Sequence, residues 1–160
     1  MSLAPVCIFV YNRLEETKQT VTALQANALA EKIDLFIFSD GPKSDNEKRL
    51  ISNVRSFIKR IDGFKSVSII QSETNQGLAN SIINGVSSIL SKNKNVIVLE
   101  DDLVTTPNFL EFMYQSLDFY QNNKRVISIS GFTLPIVFKK DYYLDVYSSY
   151  RASSWGWATW

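Results

Sequence analysis

The chain has 160 residues, with 17 Lys and Arg against 16 Asp and Glu, no histidine and a formal charge of +1. This length suits one domain with a real core, and a near-neutral balance without a basic tract argues against a disordered chain or a nucleic-acid partner. The missing histidine removes the commonest general base and the commonest metal ligand, so carboxylates must do both tasks.

In chain order, short apolar runs alternate with segments of helical spacing, the pattern of a parallel sheet with helices on both faces. Residues 5–11 read as the first strand and 14–27 as the first helix, with Asn12 and Glu15 placed as a capping pair. Cys7 lies inside that first run, where an inert core thiol is expected. Residues 33–39 form a second strand, and Ser44 with Glu47 forms a capping box opening a helix that runs to Ile61. A third strand over 66–71 precedes a helix over 78–91. The run 96–99 is a fourth strand, Thr106-Pro107 starts a helix over 107–122, and 126–130 is a fifth strand. No segment is apolar for long enough to cross a bilayer, and no signal-type leader opens the chain. A cytoplasmic location is the expectation, with peripheral membrane association left open.

Open sheets of this kind bind ligands outside the carboxyl ends of their strands. Those ends carry Tyr11-Asn12-Arg13, Ser39-Asp40-Gly41, Asn75-Gln76-Gly77 and, after the fourth strand, the acid run Glu100-Asp101-Asp102. Neighbouring carboxylates repel unless water or a cation compensates them, and a divalent metal is the natural compensator. Mg2+ or Mn2+ takes hard oxygen ligands and is held by one or two carboxylates together with substrate phosphates. If strand geometry continued through the run, Glu100 and Asp102 would point to one side and Asp101 to the other.

With Leu99-Glu100-Asp101-Asp102-Leu103 followed by Pro107-Asn108-Phe109-Leu110, the chain resembles GT-A-fold glycosyltransferases. It is similar to the inverting family 2 enzymes and, around the acids, to the N-acetylglucosaminyltransferase I family with its Glu-Asp-Asp motif. Tyr11-Asn12-Arg13, Ser39-Asp40-Gly41, Asn75-Gln76-Gly77-Leu78-Ala79-Asn80 and Trp155-Gly156-Trp157 carry the rest of the likeness. The resemblance implies a UDP-sugar donor and a saccharide or other hydroxyl acceptor. It places Asp102 on the metal, Asp101 on the ribose, Glu100 at the donor sugar, Asp40 on the uracil N–H and Arg13 near the diphosphate. Tyr11, Asn12, Asn75, Gly77, Asn80, Gly156 and Trp157 join the donor site by the same route. The base that deprotonates the acceptor lies, in that family, downstream of the Gly-Trp motif, beyond Trp160. Asp141 and Asp145 are the only acids after the fifth strand.

Residues 1–131 then form the donor-binding core, and 132–160 an aromatic loop with the start of an incomplete acceptor side. Tyr147, Tyr150, Trp155 and Trp157 suit sugar stacking or ordinary packing. The apolar stretch Trp155 to Trp160 suggests a C-terminally truncated domain, for which a longer chain would be more soluble. Dinucleotide and P-loop enzymes are disfavoured because Tyr11-Asn12-Arg13-Leu14 contains no glycine. A nucleotide-sugar or protein-interaction module without turnover, and a sugar nucleotidyltransferase, are the alternatives.

Overall fold

The structure, a computed structural model, describes residues 3–160. Four strands are parallel: β1 (Val6–Val10), β2 (Asp34–Ser39), β3 (Ser66–Gln71) and β4 (Val96–Glu100). They alternate with α1 (Leu14–Gln25), α2 (Lys48–Ile58), α3 (Leu78–Leu90) and α4 (Phe109–Tyr120). Two short strands, β5 (Ile129–Ser130) and β6 (Trp157–Thr159), complete a sheet of order β3-β2-β1-β4-β6-β5.

The central strand β1 is buried along its whole length, which explains its unbroken apolar run. Its alternate side chains serve two cores. Val6, Ile8 and Val10 join Val21 and Leu24 of α1, Val54 and Ile58 of α2, and Leu110, Met113 and Leu117 of α4. Cys7 and Phe9 face the other way, onto Val86 and Ile89 of α3. Helices therefore cover both faces of the sheet. Burial pushes the Cys7 thiol up to about 12, as expected of an inert core residue.

The order reverses beside β1: the chain winds outward through β2 and β3, then returns to lay β4 on β1's other edge. Such a switch point opens a crevice at the carboxyl ends of the two central strands.

Several local expectations shift. α1 has Arg13 at its N-cap position with no side-chain cap, and Asn12 donates instead to Glu47 Oε1 at 3.2 Å. Ser44 leads into a 3-10 turn, Asp45–Glu47, and makes no side-chain cap there. α4 begins at Phe109 rather than Pro107, and its Leu110 N–H is received by Asn27 Oδ1 at 2.9 Å. That side chain, from the end of α1, also donates to the Ala23 carbonyl at 3.0 Å. A remote buried amide thus does the capping work that Thr106 was expected to do.

The fifth strand shortens to two residues and pairs antiparallel with β6, which itself runs antiparallel to β4. The 157–159 end is accordingly paired into the sheet, while Trp155 before it stays 55% exposed. Ala158 is fully buried between Ile97 and Ile129, and Trp157 packs on the Cys7–Phe9 core. The long connection from β5 to β6 is closed at its base by the Gly131 N–H on the Gly156 carbonyl at 2.7 Å.

Candidate donor-binding cleft

A cleft of about 310 Å³ opens at the switch point. Phe9, Val10 and Phe38 give it an apolar floor, with the two phenyl rings stacked at 4.9 Å. Tyr11, Arg13, Asp40, Lys43, Asn75, Gly77, Glu100 and Asp101 bring the polar groups. The chain thus gathers here the strand ends after β1, β2 and β4 and the loop before α3. Gly77, Leu78 and Ser81 set the N-terminal, electropositive end of α3 against the cleft.

Asp40, at 8% exposure, is saturated by the protein. Its Oδ1 accepts from the Gly41 and Gln76 N–H groups, both at 2.8 Å, and its Oδ2 from Asn75 Nδ2 and the Gly77 N–H, both at 3.0 Å. A carboxylate offers about four acceptor positions, so these four bonds use them. Asp40 is the post on which the 75–77 loop is hung. Gly77 itself sits at φ +78, a left-handed geometry that glycine supplies without strain.

The acid run does not fan out as strand alternation predicts, because β4 ends at Glu100 and the chain turns at Asp101. Asp101 and Asp102 instead converge on one guanidinium. Arg13 Nη2 pairs with Asp101 Oδ1, and Nη1 donates to Asp102 Oδ2 at 2.9 Å. The two partners differ sharply in setting: the Asp101 side chain is 4% exposed and that of Asp102 42%. Asp101 also accepts the Tyr11 N–H at 3.3 Å, while its own carbonyl takes the buried Thr20 hydroxyl at 2.9 Å. Burial raises the Asp101 pKa, against the pull of Arg13 and the Tyr11 N–H. Glu100 is raised first by burial and then by the Asp102 and Asp101 charges, so Arg13 leaves negative charge uncompensated at this edge.

That residual charge is the test of whether a cation fits. Hard carboxylate oxygens half open to the cleft edge are the donor set a divalent magnesium or manganese ion takes. Among the described residues no three His, Cys, Asp or Glu side chains are gathered to hold a metal alone. Asp102, with Glu100 beside it, would be its protein anchor, the remaining ligands coming from substrate.

Three residues to which sequence reasoning gave no site role, Glu47, Lys43 and Arg55, organise the cleft wall. Glu47 accepts from the Tyr11 hydroxyl at 2.7 Å, from Asn12 and from the Lys43 N–H at 3.1 Å, which ties the loop after β2 to the end of β1. Its pKa is lowered, chiefly by the Tyr11 hydroxyl. Lys43 Nζ lies 5.7 Å from the Tyr11 ring centroid, over its face. From α2, Arg55 donates to the Ser39 and Ser72 carbonyls at 3.3 and 2.6 Å and to the Asp40 carbonyl at 3.1 Å. It fixes the carboxyl ends of β2 and β3. The only signal for Glu47 was its place in the supposed capping box, and Arg55 had none.

Other expected residues lie apart from the cleft lining. Asn80 donates to the Gln76 carbonyl one turn back, at 3.0 Å. Gly156 and Trp157 belong to β6 and the strand turn before it, packed on Phe109, Leu99 and the α3 core. Asp141 and Asp145 are exposed in the β5–β6 connection, and neither lines the cleft.

Residues 6–137 match the family model described as Glycosyl transferase family 2. The chain belongs to glycosyl transferase family 2. Solved structures that share its fold include the following two. A mannosyltransferase, PcManGT from Pyrobaculum calidifontis, in complex with GDP-Man and Mn2+, aligns with a TM-score of 0.56 at 10% identity, over 79% of this chain and 34% of its own. TarS of S. aureus aligns with a TM-score of 0.51 at 15% identity, over 74% of this chain and 20% of its own. At these identities the likeness concerns the GT-A fold, and this family 2 chain spans about a third and a fifth of the two neighbours' lengths. No curated protein matches it. Among the described residues no helix is long and apolar enough to cross a membrane.

Proposed function

We propose that this family 2 chain carries the donor site of a metal-dependent, inverting glycosyltransferase that uses a UDP-sugar and transfers its sugar to a hydroxyl acceptor. Residues 1–131 form the donor-binding core in this reading, and 132–160 begin the acceptor side. The observation that carries it is the convergence, at one switch-point cleft, of Arg13, Lys43 and the α3 N-terminus with Glu100 and Asp101, while Asp102, outside the cleft lining, is joined to it through Arg13. The likeness of the acid run to the Glu-Asp-Asp motif of the N-acetylglucosaminyltransferase I family supports the same division of roles. A cytoplasmic setting belongs to the reading, supported by a lone, buried cysteine.

A sugar leaves a nucleoside diphosphate only as readily as the pyrophosphate bears its growing negative charge. In this reading Arg13 and Lys43 answer that charge, and the α3 N-terminus adds backbone N–H groups. A bound Mg2+ or Mn2+, held by Asp102, would supply Lewis-acid stabilisation of the same oxygens. Asp101 accepts a ribose hydroxyl and Glu100 meets the donor sugar. Asp40 acts chiefly by holding the loop that walls the base pocket, since its oxygens are already engaged. The inverting step needs a carboxylate base at the acceptor, and none of the cleft acids is assigned that role.

Calorimetric titration with uridine diphosphate, with and without manganese, tests the reading. Uridine diphosphate is expected to bind only with the metal, and Asp102→Ala to abolish that binding. Unchanged binding in Asp102→Ala removes the metal assignment. Guanosine diphosphate is the natural control, because the mannosyltransferase neighbour is complexed with GDP-Man. Tighter binding of the guanosine nucleotide would replace the donor.

A further inference from the structure

The ion pairs at the head of α1 are unequal. Arg13 Nη2 holds Asp101, a carboxylate 4% exposed and further fixed by the Tyr11 N–H. Nη1 holds Asp102, whose side chain is 42% exposed. A pair in solvent is worth little and exchanges readily, whereas breaking a buried one leaves an uncompensated charge. The guanidinium is therefore anchored on one prong and free to release the other.

We propose that Arg13 is an exchangeable counter-cation: with the cleft empty it occupies the Asp102 carboxylate, and it passes that prong to the donor diphosphate when a divalent metal takes Asp102. The inference rests on the metal assignment above and adds a rule of assembly to it. The three acids bring three negative charges and Arg13 one positive charge to this edge. A metal arriving alone must compete with Nη1 for Asp102 and meet its positive charge at close range. A metal arriving with a diphosphate meets neither obstacle, because the phosphate oxygens accept the released N–H. The fork geometry suits this, since a planar guanidinium aims its N–H groups at two oxyanions in fixed directions, whereas an ammonium is a point charge with rotatable donors. Metal and nucleotide binding are thereby coupled, each strengthening the other by the same factor.

Binding of Mn2+ read from the electron paramagnetic resonance of the free ion, with and without uridine diphosphate, tests the exchange. In the unaltered chain, saturating nucleotide should tighten Mn2+ binding by about ten-fold or more, the scale of removing one like charge at contact distance. Arg13→Gln should bind Mn2+ alone about ten-fold tighter than the unaltered chain, and the tightening that nucleotide adds should shrink by about that factor. Arg13→Lys should fall between the two, and it carries the test if circular dichroism shows Arg13→Gln unfolded. If Mn2+ alone binds equally in all three and Asp102→Ala abolishes it, the exchange is overturned while the metal site stands. If none binds Mn2+ under either condition, the metal assignment falls and takes the exchange with it.

Discussion

Asp40 and Glu47 show how a carboxylate can build a cleft wall by bonding the chain itself. Each draws together chain segments through N–H and O–H donors, and charge-assisted bonds of this kind are roughly twice as strong as neutral ones. Glu47 carries a pH signature. Its folded pKa lies below the ordinary carboxylate value, chiefly through the Tyr11 hydroxyl, so the native state favours the charged form. The stability it contributes is then complete above the ordinary value and is lost as pH falls through the lowered one. Glu47→Gln should flatten the acid limb of stability against pH, measured as urea midpoints from about pH 3 to 6, the range spanning ordinary carboxylates. It should also loosen Tyr11, readable as weaker nucleotide binding at neutral pH. An unaltered acid limb would remove Glu47 from that role.

Among the elements, β1 to β4 and the four long helices were legible because each signal is local: an apolar run or a helical spacing within a dozen residues. β6 was hidden for the opposite reason. Three residues carry no periodicity, and only pairing with β4, some sixty positions earlier, makes them a strand. The candidate site was legible as a set of strand ends, yet the pairing of Arg13 with acids 88 and 89 residues away was not. The β2–β3 edge shows how tightly those ends are fitted. A Cβ on Gly41 would stand 2.4 Å from the Thr74 carbonyl carbon and 2.7 Å from its nitrogen, both backbone atoms with little freedom to retreat. Gly41→Ala should cost about 1–3 kcal/mol, the usual range for overpacking. Chemical unfolding checks the stability, and calorimetry should show nucleotide binding weakened alongside it, because Thr74 adjoins Asn75 of the cleft.

For the whole molecule, the order β3-β2-β1-β4-β6-β5 sets β1 against β4 and leaves the cleft-lining residues on four segments scattered between positions 9 and 101. Closing such distant segments is slow, since parallel pairing repays its loop entropy only once the partners have met. The crevice is therefore a property of the finished chain: a partly folded form in which β4 is undocked has no carboxylates to offer beside Arg13. Nucleotide and manganese together should then act by mass action on the folding equilibrium itself. At a hundred times its dissociation constant a ligand that binds only the native state adds about 2.7 kcal/mol. A melting curve that rises most with both ligands present, less with manganese alone and not with nucleotide alone would report this. Folding and donor capture would thus be one thermodynamic event, with the scattered cleft serving the chain as its proof of completion.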